Sequence, residues 1–125
     1  MSGRFVILIH DTPDPADRHF DLFFEWDQAA PGKALFALRR RFEPEPAWER
    51  FPVTRQADHR ARYLDYEGEI SGGRGSVTRW DAGTFEGRIR PDDAFTLELS
   101  GSQVSGRFEF GADSGEGRLV RRSAP

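Results

Sequence analysis

Between His19 and Trp26 the sequence alternates strictly. His19, Asp21, Phe23 and Glu25 fall on one face of an extended strand, and Phe20, Leu22, Phe24 and Trp26 on the other. A helix would scatter these side chains around its surface, so the stretch commits the chain to a sheet. The remaining sequence is punctuated to the same end. Thirteen glycines and eight prolines divide it into short runs, and a long amphipathic helix is nowhere to be found. Helical turns are expected at most near 46–49 and 91–94. Residues 1–3 read as a short tail. Strands are expected at 4–9, 19–26, 34–38, 76–80, 84–89, 95–99, 104–110 and 118–122, with a tight turn at 81–83. Residues 53–55 read as a brief strand and 60–67 as strand or strand-like. The expected architecture is all-β: a single domain over 1–125, built as one antiparallel barrel or strongly curled sheet of about eight short strands with little helix.

Of the 125 residues, 37% are apolar and 11 are phenylalanine, enough for one core. There is no cysteine, which excludes a disulfide-stapled fold and a thiolate-bound zinc. The longest early apolar run, Phe5 to Ile9, is too short for a signal peptide, and no stretch approaches a membrane span. The expectation is a soluble, cytoplasmic protein with no membrane partner. Trp26, Trp48 and Trp80 read as core or lid residues rather than substrate-stacking ones.

Burying one face of 19–26 is enough to fold it, which leaves the other face for chemistry. His19 and Asp21 emerge on that face about 6–7 Å apart along the strand. His10 closes the preceding apolar run, and a turn rich in proline and aspartate brings the chain back. If the two strands are antiparallel neighbours, His10 returns beside His19. Two histidines and a carboxylate on rigid strands, with open positions to spare, describe a catalytic divalent site. The spacing is equally that of a strand-end histidine and a solvated acid. Asp11 reads either as an orienting carboxylate for His10 or as a turn residue. Glu25 and Glu67 read as ion-pairing acids.

The formal charge is -3, which excludes a generally basic nucleic-acid coat. Yet every basic side chain except Lys33 is arginine, and residues 39–62 hold Arg39, Arg40, Arg41, Arg50, Arg55, Arg60 and Arg62. Guanidinium groups grip phosphate bidentately, so a local patch suits one phosphorylated end. Solvated surface with ion pairs is the other reading of the same residues. The glycine loop 71–75 lacks the lysine and following helix of a phosphate-binding loop.

Four motifs in order resemble one family. They are His10-Asp11 followed by His19-Phe20-Asp21-Leu22-Phe23-Phe24-Glu25, then Asp58-His59 through Tyr63 to Tyr66-Glu67-Gly68, then Trp80-Asp81-Ala82-Gly83-Thr84-Phe85-Glu86, and a closing pattern over 95–101, 104–107 and 119–121. Together they resemble the 3′-phosphoesterase domain of bacterial DNA ligase D and its stand-alone relatives, over about residues 5–122. All three histidines of the chain fall on family histidine positions. The resemblance implies a manganese-using β-barrel enzyme, with zinc or another divalent metal as the alternative, that trims phosphates and ribonucleosides from DNA 3′ ends before ligation. His10, His19 and Asp21 are the implied metal ligands. His59 and Tyr63 are the implied catalytic residues, and Arg40, Arg55 and His59 the implied phosphate contacts, with Arg40 standing in for a family lysine. The implied partners are DNA 3′ ends at a primer-template or nick and a separate DNA ligase or other repair proteins. The chain is expected to be a monomer and a stand-alone member.

The chain also departs from the family pattern. Phe23 replaces an arginine two residues after the ligand aspartate, and Ala57 replaces an acid two residues before His59. The 10–19 loop is longer and the 71–75 loop shorter. A homologue that binds metal, DNA ends or repair partners without turnover is therefore the alternative reading. A ligand-binding barrel with a closed apolar cavity and scattered histidines is the third.

Overall fold

The computed structural model describes Ser2–Ala124. Its strands are β1 (Ser2–Asp11), β2 (His19–Glu25), β3 (Leu35–Arg41), β4 (Arg50–His59), β5 (Gly68–Glu69), β6 (Ser76–Gly87), β7 (Phe95–Gly101), β8 (Ser105–Phe110) and β9 (Arg118–Arg122). Eight of them close into an antiparallel barrel in the order β1-β2-β3-β4-β9-β8-β7-β6, with β6 pairing back along the whole of β1. The short β5 adds to the start of β6. Closure leaves the barrel strands without a free edge. Among the described residues no helix is long and apolar enough to cross a membrane.

The lumen is solid. Phe5, Phe20, Phe24, Phe36, Phe85, Phe108 and Phe110 meet inside it with Leu22, Leu38, Leu97 and Val120. Each such side chain contributes roughly 1.5–3 kcal/mol on leaving water. This packing excludes the ligand-barrel reading, because phenylalanine rings occupy the space a ligand would need. Trp48 is buried there, and Trp26 and Trp80 pack against the same cluster.

A second, smaller cluster lies outside the barrel wall. Val6, Leu8, Phe23, Leu35, Ala37 and Val77 pack beneath Leu64, Tyr63, Tyr66 and Ile70. The covering residues belong to the segment between β4 and β6, which lies as a roof over the outer face of β1, β2 and β3. The outer face of β2 is consequently covered rather than free: His19 to Phe24 are all buried. The same double burial explains the unbroken apolar run at the start of β3. Phe36 and Leu38 enter the lumen, while Leu35 and Ala37 meet the roof.

Several boundaries differ from the sequence expectation. Met1 of the expected tail lies outside the described residues; Ser2 and Gly3 belong to β1 and pair with Glu86 and Phe85. Residues 60–67 are not a strand. A 3-10 turn spans Ala61–Leu64 and drives Leu64 into the small cluster. The brief strand at 53–55 is part of the longer β4. Helical turns occur at Pro15–Asp17 and Ala61–Leu64, and not at 46–49 or 91–94.

The expected turn at 81–83 is absent, and β6 runs straight through it. A bulge there shifts the register from Leu8↔Arg79 to Ile7↔Asp81, leaving Trp80 as the extra residue. Asp81 looks like a turn former and is one, for a different turn. Its buried carboxylate accepts the amides of Ser102, Gln103 and Val104 at 2.7–3.0 Å, together with that of Ala82. It thereby holds the β7–β8 connection against β6. Gly101 is required beside it, since a Cβ there would lie 2.5 Å from Asp81 Oδ2. Replacing Asp81 with alanine removes a charged acceptor shared by four amides. Asp81→Ala is expected to lower the unfolding free energy by roughly 3 kcal/mol, read as a reduced urea midpoint, with Asp81→Asn losing less.

Candidate metal centre

The β1–β2 register sets His10 directly opposite His19, and Asp21 beside both on the same outer face. His10 Nδ1 is 3.2 Å from His19 Nε2 and 3.5 Å from Asp21 Oδ2, and His19 Nε2 is 3.2 Å from Asp21 Oδ1. The other nitrogen of each ring faces a backbone carbonyl, from Arg74 for His10 at 2.8 Å and from Asp17 for His19 at 2.7 Å. A carbonyl oxygen only accepts, so those nitrogens carry the protons. The two inward nitrogens therefore present lone pairs toward each other and toward a carboxylate. Three such donors turned inward repel unless a cation or a proton lies between them. Two imidazoles and one carboxylate within 4.8 Å of one another fit a divalent transition ion with open positions.

The glycine loop supplies one of the orienting carbonyls. Gly75 (φ +94°) crosses so close to β1 that a Cβ would run into the Asp11 carbonyl. Only this approach lets the neighbouring Arg74 carbonyl reach His10. Asp11 instead pairs with Arg18 at 2.6 Å, so it does not orient His10. Glu25 and Glu67 accept backbone amides, from Arg4 and Arg79.

A pocket of about 220 Å³ opens beside the His10, His19 and Asp21 side chains, lined among others by His10, Asp21, Phe23, Arg39, His59, Tyr63 and Arg74. His59 closes β4, and its ring lies 4.6 Å from that of Phe23. Its Nδ1–H donates to the Ala57 carbonyl at 2.7 Å, which leaves Nε2 without a proton in the neutral ring. The Tyr63 ring stands 5.8 Å from His59 and from Phe23.

Two of the sequence-derived phosphate contacts lie elsewhere. Arg40 follows Phe36 and Leu38 into the barrel, where its guanidinium sits 4.3 Å from the Trp48 ring and 4.4 Å from the Phe51 ring. Burial pushes its pKa down, and its ion-pair partner is Glu43 at 3.7 Å. Arg55 pairs with Leu38 across the strands, lies over Trp26 and Phe36, and reaches Asp58 at 3.7 Å. The arginines that do line the pocket are Arg39, whose Cα pairs with Asp21, and Arg74. Arg39 read only as one of seven arginines in the 39–62 patch, and Arg74 did not stand out in the sequence. Strand parity relative to Asp21 would have pointed to Arg39, had the β2–β3 register been known.

The family model for the DNA ligase D 3′-phosphoesterase domain matches residues 9–111, from the end of β1 to just past β8. The chain belongs to this family. The multifunctional non-homologous end joining DNA repair protein LigD of Mycobacterium tuberculosis H37Rv is 28% identical over 127 residues, an alignment covering 96% of this chain and 16% of that protein. A multifunctional non-homologous end joining protein LigD of Mycobacterium bovis matches with the same identity and coverage. The chain thus spans only 16% of the length of these relatives. Phe23, where the resemblance has an arginine, is a buried ring 4.6 Å from that of His59, and the Ala57 carbonyl accepts the hydrogen bond from His59 Nδ1–H.

The hydrogen bond with Asp21 raises the His10 pKa above its usual 6.5, against an opposing effect of burial. Burial pushes the Asp21 carboxyl up, but the bonds with His10 and His19 outweigh it and hold it at about 2. In metal-free protein the His10 contribution to stability is full below its unfolded value and fades as pH rises through the folded one. That of Asp21 is full above its unfolded value and fades as pH falls toward 2. In Asp21→Asn the carboxylate is gone while burial and Arg39 still oppose the charged ring, so the His10 pKa is expected to fall relative to the parent protein. Imidazole NMR titration in chelator measures it.

Proposed function

We propose that this chain is a divalent-metal-dependent phosphoesterase that removes a phosphate or a ribonucleoside from DNA 3′ ends, at a primer-template or nick, before a DNA ligase seals them. The observation that carries this reading is the convergence of two lone-pair imidazole nitrogens and a carboxylate beside a pocket that also holds Arg39 and His59. Family membership and the end-joining repair names of the relatives support the choice of substrate. The setting we infer is a cytoplasmic one, with the domain working as a monomer.

Manganese, or zinc as the alternative, bound to His10, His19 and Asp21 would polarise a phosphoryl oxygen and lower the pKa of a coordinated water. The protein side chains supply the rest. The Arg74 and Asp17 carbonyls fix both imidazoles in one tautomer and one orientation. Arg39 meets a non-bridging phosphoryl oxygen with a guanidinium that is always charged. His59 offers Nε2 to the pocket and moves a proton there, its far side fixed on Ala57. Phe23 and Tyr63 hold the His59 ring by edge and face contacts. Phe23, Ile70 and Val77 line the pocket with apolar surface and exclude water from part of it.

One observation favours a second reading. The buried Phe23 ring gives the substrate no charge where the family carries an arginine, so a domain that binds metal and DNA ends with little turnover also fits. The deciding experiment incubates a primer ending in a 3′-phosphate or a 3′-ribonucleotide with protein and manganese, with His19→Ala as the control. Product from the parent protein and none from His19→Ala supports the enzyme. Metal binding without product from the parent supports the second reading.

Two further outcomes are expected. Arg39→Ala lowers kcat/KM by about 10² through loss of a charge-stabilising donor, while Arg40→Ala lowers stability by roughly 2 kcal/mol through removal of its cation–aromatic packing; steady-state kinetics and thermal melts on both variants separate the roles. Below its raised pKa His10 carries a second proton, on the inward Nδ1, and there a metal ion has to displace it. Calorimetry in buffers of differing ionisation enthalpy should show proton release on manganese binding, and an affinity that climbs with pH until His10 is deprotonated.

A further inference from the structure

Outside the pocket, the wall of the barrel carries a longer groove. It has a volume of about 620 Å³ and runs between β3, β4 and the 111–117 loop, with Arg39, Arg41, Pro52, Thr54, Glu116 and Leu119 among its lining. Arg39 lines both this groove and the pocket beside His10 and Asp21, so the two adjoin at that side chain. Arg41 comes next on the same face of β3, its Cα opposite His19 as that of Arg39 is opposite Asp21. Among the described residues neither arginine lies within ion-pair distance of a carboxylate. The groove also holds Leu119, the large apolar side chain the barrel leaves exposed, at 37%.

We propose that this groove holds the polynucleotide strand leading to the 3′ end, with Arg39 and Arg41 on successive phosphates and Leu119 and Pro52 against the sugars and bases between them. The proposal rests on the 3′-end-processing reading and extends it to a strand path. Two facts select this occupant. Alternate residues of a strand stand about 6.7 Å apart, close to the separation of neighbouring phosphates on an extended nucleic-acid strand. Unpaired guanidiniums alternating with apolar surface match a chain that itself alternates anionic phosphates with weakly polar sugars and bases. On a protein of net charge -3, two unpaired arginines in a groove that begins beside the pocket give that strand a direction.

The test measures binding alone, by fluorescence anisotropy in chelator, so that turnover plays no part. The probes are a nucleoside 3′-monophosphate and a dodecanucleotide with the same 3′-phosphate. The variants are Arg41→Glu and Arg88→Glu. Arg88 follows β6, across the ring of strands from β3, and makes the same charge change away from the groove. The parent protein is expected to bind the dodecanucleotide more tightly than the monophosphate. Arg41→Glu should weaken the dodecanucleotide about tenfold, lower its log–log salt slope by about 1 and leave the monophosphate unchanged. Arg88→Glu should leave both within about twofold, because it touches no phosphate along the proposed path. Equal weakening by both variants, or a parent protein that binds the two probes alike, overturns the strand path. A manganese assay on the same dodecanucleotide separates the two claims. Length-dependent binding without turnover removes the catalytic reading and keeps the groove, and turnover without length dependence does the reverse.

Discussion

Strands β1, β2 and β3 bury both of their faces, and the site depends on it. Their inner face is held by the phenylalanine-filled lumen, their outer face by the roof between β4 and β6. A one-residue slip of β2 would turn His19 and Asp21 into the phenylalanine-filled lumen. The register that sets His10 against His19 is thereby fixed from two directions, and the ligand side chains inherit that rigidity. Loops of similar composition would have to be ordered each time an ion bound.

The same arrangement decides the electrostatics. Asp21 lies buried on a wall whose apolar neighbours on that face include Leu8, Phe23 and Ala37. A carboxylate there is tolerated only because cationic or hydrogen-bonding partners face it. The histidines in turn are fixed by carbonyls of the flanking loops, so the orientation of the donor set comes from the backbone and not from further ionisable groups. His59 follows the same rule, with Ala57 offering its carbonyl where the family pattern has an acid side chain. The roof has two duties: its Leu64 and Ile70 seal the small cluster, and it carries Tyr63 and the Arg74 carbonyl into the site.

Arginine serves two separate ends in this chain. Arg40 and Arg118 are structural. One lies against the Trp48 and Phe51 rings, and the other lies over Phe95 while donating to the Arg90, Pro91, Asp93 and Gly111 carbonyls. Arg39 and Arg41 face outward beside the metal-side pocket. Three consecutive arginines thus divide between the inside and the outside of the wall, as strand alternation requires.

Much was legible in the sequence because it was written in local pattern. The alternation through 19–26 specified a strand and its two faces, the glycines and prolines specified short strands, and the pairing of chemistry-bearing residues at 19 and 21 put an imidazole and a carboxylate on one side. The site lay partly beyond that reach. In β3 the residues Leu35-Phe36-Ala37-Leu38 are apolar on both faces, so the pattern has no phase, and the sequence offered no means of telling Arg39 from Arg40. The β6 bulge and the Ala61–Leu64 turn escaped for a related reason: Asp81 and Leu64 take their conformations from partners distant along the chain. What the sequence determined alone was the fold class and which side chains, His10, His19 and Asp21, would gather if β1 and β2 paired. Which arginine faces the pocket, and which backbone carbonyls orient the imidazoles, was decided by closure of the barrel and the roof laid over it, because those contacts join residues that no local pattern links.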